Sequence, residues 1–281
     1  MPHNHQKKIA VINDFCGFGR CSLAVSIPII SAMKVQCCPL PTSVFSNHTG
    51  FESFYYTDFT RHMESYADEW EKLNLKFSGI LTGFLGSPTQ IGIVEDFLRK
   101  FKSKDTITVI DPVMGDYGNL YPTYSPELAR KMKNLVPYAD ILTPNLTEAC
   151  ILTSTPYNPQ ISSEGLRLLC EGLSDMGPAK IVISGIDRGD DLENFVYEKD
   201  KQAVSVYCHK VGPCRSGTGD VFSSMIAADA VNGVDFMDSV HHASDFIARV
   251  LRRTLELDLP KTDGLCFEEL LCEIGDGYNE K

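Results

Sequence analysis

The stretch KIAVINDFCGFGRCSLAVSIPIISAM, residues 8–33, contains the pattern that decides the fold. Its apolar first part, residues 8–13, predicts a buried β-strand, and the Gly-rich segment 16–19 predicts a turn. Apolar side chains then recur at helical spacing over residues 22–33, which predicts an α-helix. The same order of strand, loop and helix recurs at residues 79–101. Such alternation is typical of a parallel sheet whose crossover connections are helices.

Further apolar runs extend the predicted sheet, and they lie at residues 106–110, 139–142, 180–184, 194–198 and 203–207. The last two predict a β-ribbon near one edge of the sheet. Helical spacing continues at residues 145–152, 220–232 and 236–255. We therefore predict an α/β fold with a mostly parallel central sheet and helices on both faces. The length suits a single domain, so we assign residues 1–281 to one domain.

The composition excludes several classes of function. Asp and Glu number 37 against 26 Lys and Arg, which gives a net charge of -11 without an acidic tail, so we expect no nucleic-acid binding. The polar N-terminus predicts no signal peptide and no apolar run is long enough to span a bilayer, so we expect a cytoplasmic protein with no membrane partner. The ten cysteines lack the spacing of zinc ligands, which favours reduced thiols.

The segment GFGRCS, residues 17–22, partly matches the dinucleotide fingerprint G-x-G-x-x-G. Ser22 replaces the third glycine, and no Asp or Glu lies between Phe15 and Phe51 to bind a ribose hydroxyl. We therefore interpret the segment as a Gly turn that lets the backbone approach a ligand. A P-loop is excluded as well, because the sequence contains no Gly-Lys pair.

A second Gly-rich segment, GTGD at residues 217–220, stands at the start of a predicted helix. The N–H groups of Gly217, Thr218 and Gly219 can bind an anion there, because the N-terminus of a helix carries positive potential. Asp220 can accept a proton from an attacking hydroxyl while these amides stabilise charge on a transferred phosphoryl group. Helix capping by Thr218 and Asp220 is the alternative explanation.

Polar residues on two other loops favour the phosphoryl-transfer interpretation. Asp111 and Asp116 flank a Pro/Gly turn, and Asn145 and Glu148 lie three residues apart at the start of a predicted helix. Turn chemistry or a capping box would explain each pair alone. Loops that follow parallel strands meet at one sheet edge, however, and Mg²⁺ needs only a few carboxylates in addition to phosphates and water. We therefore predict a phosphate and magnesium site at that edge.

Five segments, in this order, resemble the ribokinase-like superfamily and, within it, the pyridoxal (vitamin B6) kinases. They are FSNHTG at 45–50, TGFLGS at 82–87, DPVMGD at 111–116, TPNLTE at 143–148 and GTGD at 217–220. The last is general to the superfamily, whereas FSNHTG indicates the vitamin B6 branch. The resemblance runs nearly end to end and implies a ribokinase-like three-layer sandwich.

The resemblance also implies an activity and a set of site residues. The activity is ATP-dependent phosphorylation of the 5′-hydroxymethyl group of pyridoxal, pyridoxine or pyridoxamine. Asp220 would be the base, and Gly217, Thr218 and Gly219 would surround the transferred phosphate. The implied ATP and phosphate contacts are Asp111, Thr143, Asn145, Glu148 and Ser184, and the implied magnesium ligands are Asp116 and Glu148. Thr49 and Phe84 would line the pyridine pocket, where an aromatic ring beside a polar group suits the substrate.

Three residues have roles that the resemblance leaves open. Where many pyridoxal kinases have Ser-His after the first strand, this chain has Asn13-Asp14-Phe15, so we expect Asp14 to contact the pyridine nitrogen or the phenolic hydroxyl. Arg215 is either a phosphate contact in a mobile loop or a solvated surface charge. For His48, a role in ordering its loop is favoured over catalysis, because Asp220 already suits the base.

The alternatives to this activity are a hydroxymethylpyrimidine kinase and a non-catalytic protein that binds B6 vitamers as a regulator. FSNHTG argues against the first, and the intact Asp220 with its acidic neighbours argues against the second. ATP and Mg²⁺ are the implied cofactors, and K⁺ is a further candidate. The implied partners are the small-molecule substrates and a second copy of the chain in a homodimer.

Overall fold

The structure, a computed structural model, describes residues 3–275 and is built around one large β-sheet. The strands of the described residues are β1 (Lys8–Cys16), β2 (Gln36–Phe45), β3 (Tyr56–Asp58), β4 (Gly79–Thr82), β5 (Ile107–Ile110), β6 (Gly115–Asp116), β7 (Asn119–Leu120), β8 (Ile141–Leu142), β9 (Lys180–Arg188), β10 (Asp191–Glu198) and β11 (Val204–His209). Strands β6 and β7 form a separate two-stranded sheet, and the other nine strands form the large sheet.

The α-helices of the same residues connect and cover these strands. They are α1 (Leu23–Ala32), α2 (Thr60–Lys72), α3 (Pro88–Phe101), α4 (Pro126–Met132), α5 (Leu146–Thr153), α6 (Ser163–Ser174), α7 (Thr218–Asn232), α8 (Phe236–Glu256) and α9 (Leu271–Gly275). No helix among residues 3–275 is both long and apolar enough to cross a membrane.

The sheet has the strand order β11-β10-β9-β8-β5-β4-β1-β2-β3. The six strands from β9 to β2 pair in parallel with their neighbours, whereas the β9–β10, β10–β11 and β2–β3 pairings are antiparallel. The mostly parallel sheet is therefore confirmed, as is the β-ribbon, which consists of β10 and β11. Parallel strands place their carboxyl ends at one edge, where strand-to-helix loops meet.

Two hydrophobic cores lie on opposite faces of this sheet. Ala10 and Ile12 of β1 belong to the core that is covered by α2 to α6, and Ile9 and Val11 belong to the core covered by α1, α7, α8 and α9. Successive side chains of a strand point to opposite faces, so a strand buried on both sides must be apolar throughout. This arrangement confirms the predicted three layers.

The structure contains elements that the sequence did not predict, among them strands β2, β3 and β6 and helices α2, α4 and α6. Strand β2 was not predicted, because Pro39 and Pro41 weaken a strand pattern; its position next to the short edge strand β3 tolerates them. Residues 111–118 were predicted as loop but contain β6, which pairs with β7. A Cβ atom on Gly115 would lie 2.0 Å from the carbonyl oxygen of Asn119, so only glycine permits this close pairing.

Candidate active site

The N-terminus of α7 carries the GTGD segment, and its geometry depends on glycine. Gly217 is the N-cap residue with φ of 86°, and a Cβ atom there would lie 2.2 Å from the carbonyl oxygen of Arg20. The Thr218 hydroxyl donates to the carbonyl oxygen of Arg215 at 2.9 Å. A Cβ atom on Gly219 would meet no described atom within 4 Å, so this glycine faces open space. The first amides of an α-helix have no intrahelical acceptor and are available to an anion.

Asp220 lies in the first turn of α7 and is held by two donors from the β1–α1 region. The Asn13 side-chain amide donates to Asp220 Oδ1 at 3.1 Å, and the backbone N–H of Ser22 donates to the same carboxylate. Burial raises the pKa of Asp220, while these two hydrogen bonds oppose the rise. Asp220 is therefore a carboxylate of increased basicity in a fixed position.

Asp14, at the end of β1, is buried and already engaged by the protein. It accepts hydrogen bonds from the Ser22 hydroxyl at 2.5 Å and from the Cys16 thiol at 3.4 Å. Burial raises the pKa of Asp14 to about 6, with a smaller contribution from Asp220. Each carboxylate oxygen of Asp14 thus already accepts one hydrogen bond from the protein. The expected contact with the pyridine ring would therefore have to use a second lone pair of one of these oxygens.

Asn145 and Glu148 form a capping box at the N-terminus of α5. Glu148 N–H donates to Asn145 Oδ1 at 3.0 Å, and Asn145 N–H donates to Glu148 Oε2 at 2.8 Å. The same side chains hold the 111–116 loop, because Glu148 Oε1 accepts from Met114 N–H at 3.0 Å and Asn145 Nδ2 donates to the Gly115 carbonyl at 2.8 Å. The capping box therefore brings Asp116 and Glu148 onto one loop cluster.

The carboxylates of this cluster repel one another in a buried setting. Burial raises the pKa of Glu148 to about 8, with Asp116 adding to the rise. Burial also raises the pKa of Asp111, and the charges of Glu148 and Asp220 raise it further. Among residues 3–275, no group of three or more His, Cys, Asp or Glu forms a preorganised metal cage. Mg²⁺ usually binds through one or two carboxylates together with waters and phosphates, so Asp116 and Glu148 fit such an ion.

Thr143 and Ser184 lie beside this cluster. Thr143 follows β8, and its buried hydroxyl has no hydrogen-bond partner among residues 3–275. Ser184 in β9 forms a β-bridge with Asn145 and donates its N–H to the Pro144 carbonyl at 2.9 Å. The free Thr143 hydroxyl is consistent with a ligand contact, because a buried hydroxyl without a partner is unfavourable.

The predicted pyridine-pocket residues lie on two loops. Phe84, after β4, packs edge-on against Phe45 and Tyr124, with ring centroids 6.2 and 5.8 Å away. Thr49 is exposed in the loop after β2. His48 orders that loop, because Nδ1 accepts from Gly50 N–H at 3.0 Å and Nε2 lies 2.7 Å from the Thr262 carbonyl oxygen.

Arg215 is not a solvated surface charge, so that alternative was wrong. The residue is only 7% exposed, and its guanidinium donates to the carbonyl oxygens of Leu259 and Pro260 at 2.9 and 2.7 Å. The Nε atom is buried and has no hydrogen-bond partner in the described part of the chain. Its role as a phosphate contact stays a prediction.

The residues that contact Asp220 were missed as site residues. In the sequence, Asn13 stands out only as the neighbour of Asp14, and Ser22 only as a departure from the dinucleotide fingerprint. Ser22 has φ of 57° and ψ of -135°, an unusual conformation for a residue with a side chain. Such strain at the start of α1 is common near functional sites, but no sequence pattern predicts it.

Comparisons with known proteins show the family to which the chain belongs. A family model described as phosphomethylpyrimidine kinase matches residues 29–263. The pyridoxal kinase of Arabidopsis thaliana is 31% identical over an alignment of 229 residues, and the alignment covers 78% of this chain and 72% of that protein. Residues 29–263, which the family model matches, include all five segments of the resemblance.

Solved structures extend the likeness to the fold. A protein of Bacteroides thetaiotaomicron, provisionally assigned as a phosphomethylpyrimidine kinase, is 37% identical with a TM-score of 0.95, covering 98% of this chain and 96% of that one. Its orthorhombic crystal form, with pyridoxal, has a TM-score of 0.92 over 96% of both chains. The pyridoxal kinase of Leishmania donovani in complex with ADP and pyridoxamine has a TM-score of 0.88 over 96% of both chains, and at 20% identity it bears on the fold alone. The chain therefore belongs to the phosphomethylpyrimidine kinase family of the ribokinase-like superfamily, and to the pyridoxal kinases within it.

Proposed function

We propose that this protein is an ATP-dependent pyridoxal kinase that phosphorylates the 5′-hydroxymethyl group of a B6 vitamer. The observation that carries the proposal is the position of Asp220 in the first turn of α7, next to the amides at the N-terminus of that helix. The Asn13 side chain also connects Asp220 to the backbone N–H of Phe84 by hydrogen bonds. The substrate oxygen attacks the γ-phosphorus of ATP, the bond to the ADP oxygen breaks, and the hydroxyl proton passes to Asp220. The amides of Gly217, Thr218 and Gly219 would stabilise charge on the transferred group.

We also propose that Asp116 and Glu148 hold Mg²⁺, with Asp111, Thr143, Asn145, Ser184 and Arg215 near the ATP phosphates. When bound, the ion would neutralise phosphate charge during transfer. Support comes from the raised pKa values of Asp111, Asp116 and Glu148, because a nearby cation stabilises their ionised forms. Thr49 and Phe84 would contact the pyridine ring.

A hydroxymethylpyrimidine kinase is the second candidate, because the matching family model is described as phosphomethylpyrimidine kinase and so names a closely related pyrimidine. One assay separates the candidates: release of ADP is measured with pyridoxal, pyridoxine, pyridoxamine and hydroxymethylpyrimidine. We expect the highest kcat/KM with a B6 vitamer. A preference for the pyrimidine would overturn the proposal. Binding of a vitamer without turnover of ATP would instead favour the regulator.

Asp14→Ser tests the expected influence of Asp14 on vitamer choice. The three vitamers differ at one ring substituent, so a carboxylate close to the ring should affect them unequally. We expect the relative kcat/KM values of the three vitamers to change several-fold. Such a change corresponds to a difference of about 1 kcal/mol or more in transition-state binding between the vitamers. Equal losses for all three would mean that Asp14 serves only the hydrogen bonds to Ser22 and Cys16.

Four expectations from the sequence stay predictions. They are stimulation by K⁺, a homodimer in solution, a cytoplasmic location and one folding domain over residues 1–281. Comparison of rates in K⁺ and Na⁺ buffers tests the first, and the molar mass in solution tests the second. The distribution of tagged protein in cells tests the location, and the products of limited proteolysis test the single domain.

A further inference from the structure

Asn13 connects three parts of the candidate site through one side-chain amide. Its Nδ2 donates to Asp220 Oδ1 at 3.1 Å. Its Oδ1 accepts from Asp14 N–H at 2.9 Å and from Phe84 N–H at 2.8 Å. The side chain is buried, so these contacts are protected from competition with water. It therefore joins the loop after β4, which carries Phe84, to the first turn of α7.

The orientation of this amide is determined by its partners. Two backbone N–H groups point at Oδ1, and an amide NH₂ group in that position would face two donors. The NH₂ group must therefore face Asp220. An Asn in this position can donate to the base but cannot accept from it.

Gly83 provides the space for the amide. A Cβ atom on Gly83 would lie 2.5 Å from both Cγ and Nδ2 of Asn13 and 2.7 Å from its Oδ1. Real Cβ atoms do not make such close contacts, so a side chain at position 83 must displace Asn13. The glycine of the TGFLGS segment thus has a specific packing partner.

We propose that Asn13 is a positioning residue for phosphoryl transfer, which holds the Asp220 carboxylate at a fixed distance from the pyridine-binding loop and keeps it ready to accept a proton. The inference rests on the proposed function, and it adds a residue that contacts the base rather than the substrate. Ser22 supplies the second donor through its backbone N–H, which side-chain substitution leaves in place.

The charges around Asp220 make this donor important. Asp14 on β1 and Asp111 after β5 both interact unfavourably with Asp220. A hydrogen bond to the ionised form lowers the pKa of a carboxyl group, and a like charge raises it. Loss of the Asn13 donor therefore raises the pKa of Asp220. As the pH falls, the carboxylate is then protonated, and activity is lost, at a higher pH than in the wild type.

Asn13→Asp is the sharpest variant, because it is isosteric and keeps an oxygen for Asp14 N–H and Phe84 N–H. It replaces the donor to Asp220 with an acceptor that also carries a negative charge when ionised. We expect kcat to fall about 10–100-fold, because a charge-assisted hydrogen bond is lost. We also expect the acidic limb of kcat/KM to move to higher pH, with the KM for ATP nearly unchanged.

Gly83→Ala is the second variant, since it displaces the amide of Asn13 without adding a charge. It should move the acidic limb in the same direction, by less than Asn13→Asp does. Gly92→Ala is the matched control, because a Cβ atom on Gly92, in α3, would meet no atom of residues 3–275 within 4 Å. That control should retain the wild-type rate and pH profile.

The outcomes separate this inference from the proposed function. The assay uses whichever of the four hydroxymethyl substrates the wild type phosphorylates, so a preference for the pyrimidine overturns only the proposed substrate. A wild type that phosphorylates none of them overturns both the base assignment and the role of Asn13. If Asn13→Asp loses the same factor at every pH, or retains the wild-type kcat, Asn13 does not position the base.

Discussion

Asp220→Asn is expected to fold and to lose about 10²–10⁴-fold in kcat, the usual contribution of a general base. The amide has the shape of the carboxylate but cannot take the proton of the attacking hydroxyl. The KM for ATP should change little, because the interaction that is lost develops only in the transition state. Initial rates of ADP release at pH 8 measure the effect.

The folded state of this variant needs its own measurement. Ionised Asp220 is a carboxylate whose pKa is raised by burial, so its replacement by a neutral amide should leave the unfolding temperature equal to or above that of the wild type at pH 8. Asp105→Asn makes the same change of charge at an exposed turn and should have the wild-type rate. A kcat near that of the wild type for Asp220→Asn would reject Asp220 as the base.

The layers of the fold could be predicted from the sequence because burial on both faces leaves a simple pattern. β1 is apolar at successive positions, and the next strand-loop-helix unit repeats its order. Strand β2 could not be predicted, since Pro39 and Pro41 look like loop residues. Their tolerance depends on which strands become neighbours, and that is a property of the whole sheet.

The sequence likewise indicates some residues of the candidate site and not others. The acids were identified because the carboxyl ends of parallel strands share one edge, which is a general property of this fold class. The partners of Asp220 could not be identified from the sequence, because Asn13 and Asp220 are 207 positions apart and only the folded chain brings them together. For Asn145 and Glu148 the capping and ligand interpretations are compatible, since the capping box itself positions Glu148 near Asp116.

Gly217 and Gly219 separate the anion-hole interpretation from simple helix capping, because alanine should affect them in different ways. Gly217→Ala should be destabilising by about 1–3 kcal/mol from its left-handed backbone alone, and its Cβ atom would also collide with the Arg20 carbonyl oxygen. Urea unfolding should show this loss together with a loss of activity.

Gly219→Ala should instead retain or increase stability, since Ala is favoured over Gly by about 0.5–1 kcal/mol within a helix and its Cβ atom would meet no atom of the described residues within 4 Å. The open space at Gly219 is where the transferred phosphoryl group would lie. A methyl group there should displace that group and lower kcat/KM by about 10²-fold. A stable Gly219→Ala enzyme with the wild-type kcat/KM would mean that no phosphate approaches this turn and that the segment only caps α7. A stable but inactive enzyme is the result expected if the amides of Gly217, Thr218 and Gly219 bind the reacting phosphate, because capping alone does not require the space beside Gly219 to be empty.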